Sequence, residues 1–214
     1  VGEVTFSSEN DVKKAIDTLE KSWFKWNKRD VEERAQILEK MADLLEQNRA
    51  ELIALCALEA GKTIQDGIDE VKEAVDFCRY YAIEARKHSQ EIVFDGPTGE
   101  RNSFYYEGKG IIACISPWNF PLAIYLGQIT AALVAGNAVI AKPAETTSLI
   151  GYRALELLFE AGLPKDVIAY LPGSGREIGD ILTQDHRIQG VAFTGSTATA
   201  QAINMNFARR GGAL

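Results

Sequence analysis

The sequence predicts an α/β protein in which an N-terminal helical segment and a hairpin precede an incomplete doubly wound parallel sheet. Three observations predict it. Apolar residues recur at helical spacing through the first ninety positions, two short β-prone runs then flank a Gly/Pro cluster, and from Gly110 apolar strand-length runs alternate with helix-length segments. The expected organisation is a helical part over 1–90, a hairpin over 91–108 and an alternating core over 109–214.

The helical part begins with a short amphipathic helix over 11–19, followed by an aromatic turn at Trp23 to Trp26. From Val31, the apolar residues Ile37, Leu38, Met41, Leu44 and Leu45 mark a helix with one buried face. Asp30 is its expected N-cap, and Glu32 and Glu33 favour the helix dipole in the first turn. A helix over 50–60 ends at Gly61. Another runs over 67–87, with Ile68, Val71, Val75, Cys78 and Tyr81 or Ala82 inward. The runs EIVFD and SFYYE, separated by GPTGERN, read as a hairpin. A projecting oligomerisation arm and an edge hairpin on the same domain are equally good readings of it. In the core, strands are expected over 111–116, 138–142, 167–171 and 190–194. Helices are expected over 122–135, 148–161 and 176–184, with a last one from Ser196. Apolar strands alternating with helices imply parallel pairing through right-handed crossovers.

Composition excludes several classes. With 46% hydrophobic and 25% charged residues the chain is an ordinary globular one, and its net charge of −7 argues against a nucleic-acid footprint. Cys56, Cys78 and Cys114 show no metal-binding spacing, so no metal is expected, and sparse unpaired cysteines suit a reducing cytoplasm. The longest apolar run, 120–141, is broken by Pro121, Gly127, Gln128, Gly136 and Asn137, so no transmembrane segment is expected. The opening VGEVTFSSEN lacks signal-peptide character, and a chain that begins on Val is expected to be part of a longer one.

The candidate chemistry sits at strand ends, where open parallel sheets bind ligands. GSGREIG over 173–179 is one residue too long for the dinucleotide fingerprint. In FTGST, Gly195 ends a strand and Ser196 opens a helix, whose free N–H groups suit a pyrophosphate; a plain βα turn with a Ser cap accounts for it equally well. Lys142 and Glu145 could bond ribose hydroxyls, with the carboxylate disfavouring a 2′-phosphate, although an exposed ion pair is the commoner outcome for such charges. Asn119, between Pro117 and Pro121, could donate to an oxyanion, while Asn in a turn more often caps local backbone. All three cysteines read as buried structural thiols, and His88 and His186 as solvated residues without partners.

Taken together, PWNFP, GNAVIAKPAE, LPGSG and FTGS resemble, in order and spacing, the aldehyde dehydrogenase superfamily. The flanks EAGKT, EVKEAVDFCRYYA and ISPWNFPLAIYLGQITAAL are similar to the pyrroline-5-carboxylate (glutamate-γ-semialdehyde) dehydrogenase module of bifunctional proline-catabolic enzymes, and Ala200 in FTGSTATA fits that branch. The resemblance implies a cysteine thiolate attacking an aldehyde, hydride passing to NAD⁺ and water releasing glutamate. It implies Asn119 as oxyanion donor, Ile115, Ser116, Pro117 and Trp118 on the nicotinamide side, and Lys142 and Glu145 on the adenosine ribose. Gly175 and Gly179 would flank the adenine, and Gly195 and Ser196 would meet the pyrophosphate. The family's catalytic Cys and general-base Glu are expected in segments that follow Leu214, and the FAD-dependent proline dehydrogenase half is not among these residues, so these 214 residues alone are expected not to turn over. The implied partners are a small-molecule aldehyde, the remainder of the catalytic chain and further copies in a homo-oligomer. Other readings are a dehydrogenase of another aldehyde, such as succinate semialdehyde, and a non-catalytic nucleotide-binding module.

Overall fold

The computed structural model describes residues 2–211. Helix α1 spans Glu9–Asn27 and is opened by a capping box between Ser8 and Asp11. It runs unbroken through the tryptophans, where a turn was expected. Val12, Ile16, Leu19, Ser22 and Trp26 fall on one buried face, and Trp26 Nε1 donates to the Leu133 carbonyl at 2.9 Å. That packing outweighs the modest helix propensity of the aromatic residues. Helix α2 (Val31–Gln47) starts at the expected Asp30 cap, whose side chain accepts from Glu32 N. Helix α3 (Arg49–Ala60) stops at Gly61, whose φ of 66° suits a residue without Cβ.

Helix α4 (Ile64–His88) begins three residues before the expected start, because Thr63 and Asp66 form a second capping box. Gly67 therefore lies inside the helix, where α3 comes close: a Cβ there would meet Ile53 Cγ2 at 2.9 Å. His88 is not partnerless, since its Nε2 lies 3.0 Å from Glu84 Oε2, and His186 Nδ1 lies 3.9 Å from Asp185. Both are neighbours along the chain, close enough to pair without any tertiary design.

Strands β1 (Ile92–Phe94) and β2 (Asn102–Phe104) form the expected antiparallel hairpin, a two-stranded sheet of its own with all six residues exposed. The main sheet contains β3 (Ile111–Ile115), β4 (Ala138–Lys142), β5 (Ile168–Tyr170) and β6 (Ile188–Phe193), all parallel, in the order β5-β4-β3-β6. The connecting helices are α5 (Ala123–Val134), α6 (Ser148–Ala161) and α7 (Gly175–Gln184), and α8 (Thr197–Arg210) follows β6. Alternate strand residues feed two cores. Ile111, Ala113, Ala138 and Ile140 pack against α1 and α7, while Cys114, Val139 and Ala141 pack against the layer of α2, α4, α5 and α6. The strand order reverses beside β3, so the loops after β3, β4 and β6 leave from one end of the sheet at a topological switch point. Among the described residues no helix is long and apolar enough to cross a membrane, and no cluster of three or more His, Cys, Asp or Glu could hold a metal.

Candidate dinucleotide site

At that end of the sheet lies a crevice of about 420 Å³, within the range of small-molecule sites. Its floor and one wall come from strand ends: Ile115 and Trp118 after β3, and Lys142, Ala144, Glu145 and Thr146 after β4. The other walls are Gly175, Gly179, Asp180 and Thr183 of α7 and Thr199, Ala202, Ile203 and Asn206 of α8. Parallel ladders deliver these loops together. Ser116 N donates to the Lys142 carbonyl at 3.2 Å and Thr194 N to the Ile115 carbonyl at 3.1 Å, continuing the sheet to its rim.

Lys142 ends a fully buried strand and is itself only 6% exposed, so the exposed ion pair with Glu145 does not form. Its Nζ lies 3.5 Å from the Pro143 carbonyl. Burial pulls the ammonium below its ordinary pKa, and the charge of Glu145 pulls it part of the way back. Glu145 is exposed at the start of a 3₁₀ turn (Glu145–Thr147) and lines the crevice.

Gly175 and Gly179 leave open space: a Cβ on either would meet nothing within 4 Å. Side chains there would fill the cradle between α7 and the strand ends. The α7 and α8 walls are held together by Asn206, which is nearly buried and donates from Nδ2 to Asp180 Oδ1 at 2.9 Å and Thr183 Oγ1 at 2.8 Å. At the start of α8, the Ser196 hydroxyl accepts from Thr199 N at 3.2 Å and lies 2.9 Å from Thr199 Oγ1. The amides of Thr197 and Ala198 remain in the first turn, where backbone donors lack intrahelical acceptors and the dipole favours an anion. A Cβ on Gly195 would meet the Phe193 ring at 2.6 Å, so the strand-to-helix turn needs glycine for packing whatever it binds.

The crevice thus gathers Ile115, Trp118, Lys142, Glu145, Gly175 and Gly179 of the predicted residues, while Ser116, Pro117, Asn119, Gly195 and Ser196 lie outside its lining. Ser116 is buried under the rim, Pro117 is half-buried, and Asn119 is exposed in the turn between β3 and α5. The α7–α8 contributions of Asp180, Thr183, Thr199 and Asn206 were missed, because polar residues on an amphipathic helix read as a solvated face until two helices are seen to meet. Gln128 was missed as well: from α5 its Nε2 donates to Thr194 Oγ1 at 3.2 Å and the Ile115 carbonyl at 3.4 Å, joining the rims of β3 and β6. All three cysteines are buried. Burial pushes the Cys56 and Cys78 thiols up to about 12 and Cys114, at the centre of the sheet, well above the ordinary thiol range. None lines the crevice.

An open carboxylate for ribose hydroxyls, a glycine cradle and a helix start for phosphates are a donor and acceptor set that fits an adenine dinucleotide. The family model for the aldehyde dehydrogenase family matches residues 1–213. The bifunctional protein PutA of Salmonella typhimurium is 45% identical over 204 residues, covering 95% of this chain and 14% of that protein. A 1-pyrroline-5-carboxylate dehydrogenase of Anoxybacillus flavithermus is 41% identical over 196 residues, covering 92% of this chain and 38% of that one. Among solved structures, a bifunctional proline utilization A protein superposes with a TM-score of 0.95 at 45% identity, covering 99% of this chain and 22% of that one. A 1-pyrroline-5-carboxylate dehydrogenase from Thermus with bound NAD superposes with a TM-score of 0.90 at 35% identity, covering 94% and 39%. The chain therefore spans well under half the length of each of these relatives. With its whole described fold shared and its residues matched from end to end, the chain belongs to the aldehyde dehydrogenase family.

Proposed function

We propose that this segment is the NAD⁺-binding part, with one oxyanion donor, of an enzyme that oxidises L-glutamate γ-semialdehyde, formed from pyrroline-5-carboxylate, to glutamate in proline catabolism. The observation that carries the reading is the meeting of Lys142, Glu145, Gly175 and Gly179 in one crevice at the sheet's switch point. The substrate class is supported by the names of the relatives, a bifunctional PutA and a 1-pyrroline-5-carboxylate dehydrogenase. Bound NAD⁺ would supply the hydride acceptor. Glu145 accepts from the adenosine ribose hydroxyls and repels a 2′-phosphate, Lys142 donates to the same sugar, and Gly175 and Gly179 leave room for the adenine. Gly195 and Ser196 bring the start of α8 to the pyrophosphate. Ile115, Ser116, Pro117 and Trp118 border the nicotinamide side, and the Asn119 amide donates to the oxyanion that develops on the aldehyde.

No cysteine in these residues is placed or charged for attack, so the thiolate and its general base come from other parts of the catalytic chain. Three unpaired thiols favour a reducing cytoplasm. The hairpin favours a homo-oligomer: Ile92, Val93, Phe94, Phe104, Tyr105 and Tyr106 are each about half exposed, an apolar surface that a second copy would cover.

Calorimetry with NAD⁺ and NADP⁺ on the folded polypeptide tests the cofactor reading. Saturable NAD⁺ binding is expected, weakened about tenfold or more by a Glu145→Ala, Ser196→Ala pair. Glu145→Ala alone is expected to narrow the preference over NADP⁺. Equal affinity for both cofactors in the unaltered protein, or binding indifferent to the pair, would overturn it. Turnover of glutamate γ-semialdehyde over succinate semialdehyde by the natural polypeptide carrying this segment tests the substrate.

A further inference from the structure

The two helices that follow the rim loops lack caps of their own. Helix α5 starts after Leu122, an apolar residue with no side-chain oxygen, and the Thr147 side chain makes no capping bond to α6. Each nevertheless has its first amides satisfied by a carboxylate from the helical layer. Glu70 of α4, only 2% exposed, accepts through Oε2 from Leu122 N at 3.1 Å and Ala123 N at 2.9 Å. Glu59 of α3 accepts through Oε1 from Leu149 N at 2.9 Å and through Oε2 from Ile150 N at 2.7 Å.

The Glu70 arm has a second grip. Its Oε1 faces the Lys62 ammonium at 3.1 Å as a charge contact, and Lys62 Nζ stands 4.4 Å from the centre of the Phe120 ring. Phe120 follows Asn119 directly. Lys62 and Glu70 therefore hold the Pro117–Pro121 turn at its side chain and at the helix it enters. Glu59 holds the start of the helix that follows the Lys142–Glu145 loop. Both carboxylates lie in the EAGKT and EVKEA stretches, which the crevice itself does not use.

We infer that Glu70 (with Lys62) and Glu59 are positioning residues that set the two rim loops separately: Glu70 the Asn119 turn, and Glu59 the loop of Lys142 and Glu145. The inference rests on the cofactor and oxyanion roles proposed above. Its consequence is a division of labour. Loosening the Glu70 contact misplaces the group that acts in the transition state, while loosening the Glu59 contact misplaces groups that hold the cofactor.

The test uses the natural polypeptide carrying this segment, with Ala and Gln at each position; Gln keeps an acceptor oxygen in place of the carboxylate. Glu70→Ala is expected to lower kcat about tenfold and to weaken NAD⁺ binding by a smaller factor, since Pro117 and Trp118 of the same turn border only the nicotinamide end of the cofactor. Glu59→Ala is expected to raise the NAD⁺ dissociation constant about tenfold with kcat within about twofold. Glu70→Gln, whose one amide oxygen can accept from both Leu122 N and Ala123 N, should recover most of the loss, whereas Glu59→Gln, whose NH2 must face one of the two amides, should recover only part. Amide exchange read by mass spectrometry should quicken across 118–124 in Glu70→Ala alone and across 146–152 in Glu59→Ala alone. Alanine variants that move both segments together, or shift kcat and cofactor affinity by equal factors, or change neither, overturn the inference. A wild-type chain inactive towards aldehydes would sink the functional reading, and the exchange pattern would still decide the two separate grips.

Discussion

Lys142 carries a charge at the end of a strand buried along its whole length. Its folded pKa lies below the unfolded value, so the folded state binds the proton less readily, and stability rises as pH climbs from the folded pKa towards that of free lysine. A Lys142→Met variant is accordingly expected to be more stable than the parent at neutral pH, with the gap narrowing as the pH rises towards the pKa of free lysine. Thermal denaturation across that pH range checks it; a constant gap would mean that the ammonium is effectively solvated. The cysteines make the opposite residue-scale case. With thiols pushed up to about 12, Cys56 and Cys78 hold on the order of a thousandfold less thiolate at neutral pH than free cysteine. Iodoacetamide is expected to leave all three unmodified in the native protein and to label them readily in urea, as read by mass spectrometry. Native labelling of Cys114 would contradict its place in β3.

Elements meet through a few specific contacts. Helices α2 and α4 are joined at their surface by Arg86, which donates to Glu32 at 2.7 and 2.8 Å and to Glu39 at 2.6 and 3.1 Å. The Arg86 hydrogen bonds, with help from Gln36, lower the Glu32 carboxyl to about 2. A depressed carboxylate stabilises the fold above its unfolded pKa and loses that contribution as pH falls towards the folded value, here between about 4.5 and about 2. Arg86→Ala is therefore expected to lose that contribution throughout the range above about pH 4.5 and to move acid unfolding, followed by far-UV circular dichroism, to higher pH, with the stabilities of the two proteins converging towards about pH 2. Deeper in, α5 lies against α4 so closely that a Cβ on Gly127 would meet the Phe77 ring at 2.9 Å. Gly127→Val is expected to destabilise the fold by about 1–3 kcal/mol in urea denaturation, since a branched side chain must push the two helices apart.

At the scale of the molecule, the described sheet ends on β6, whose last residues, Val191 to Phe193, are only half-buried, beside a hollow lined by Ala200, Ile203, Asn204 and Phe207. Such an edge and the apolar hairpin are both open to association. The 214-residue polypeptide on its own is expected to self-associate at micromolar concentration, and replacing Val93 and Tyr105 with Lys should reduce the apparent mass in light scattering. A monodisperse monomer from the unaltered polypeptide would refute this.

Local information was enough for the order of elements and for the strand ends. The hydrophobic periods, the glycine at 61 and the apolar runs from Ile111 each report the conformation of their own neighbourhood, so the helices, the parallel strands and the placing of Lys142 and Glu145 at a rim were legible in the sequence. Glu70 sits among the inward positions Ile68, Val71, Val75 and Cys78 read from the helical period, but its own burial shows only in the packed layer. What no window of sequence could supply were the contacts made across the chain. Trp26 on Leu133, Glu59 on Leu149 and Ile150, Glu70 on Leu122 and Ala123, and Asn206 on Asp180 and Thr183 join residues 23 to 107 positions apart. Their partners exist only once the layers have packed. Whether a lysine is solvated or buried, and which helix supplies another's cap, is decided there, because desolvation and hydrogen bonding depend on neighbours in space rather than in sequence.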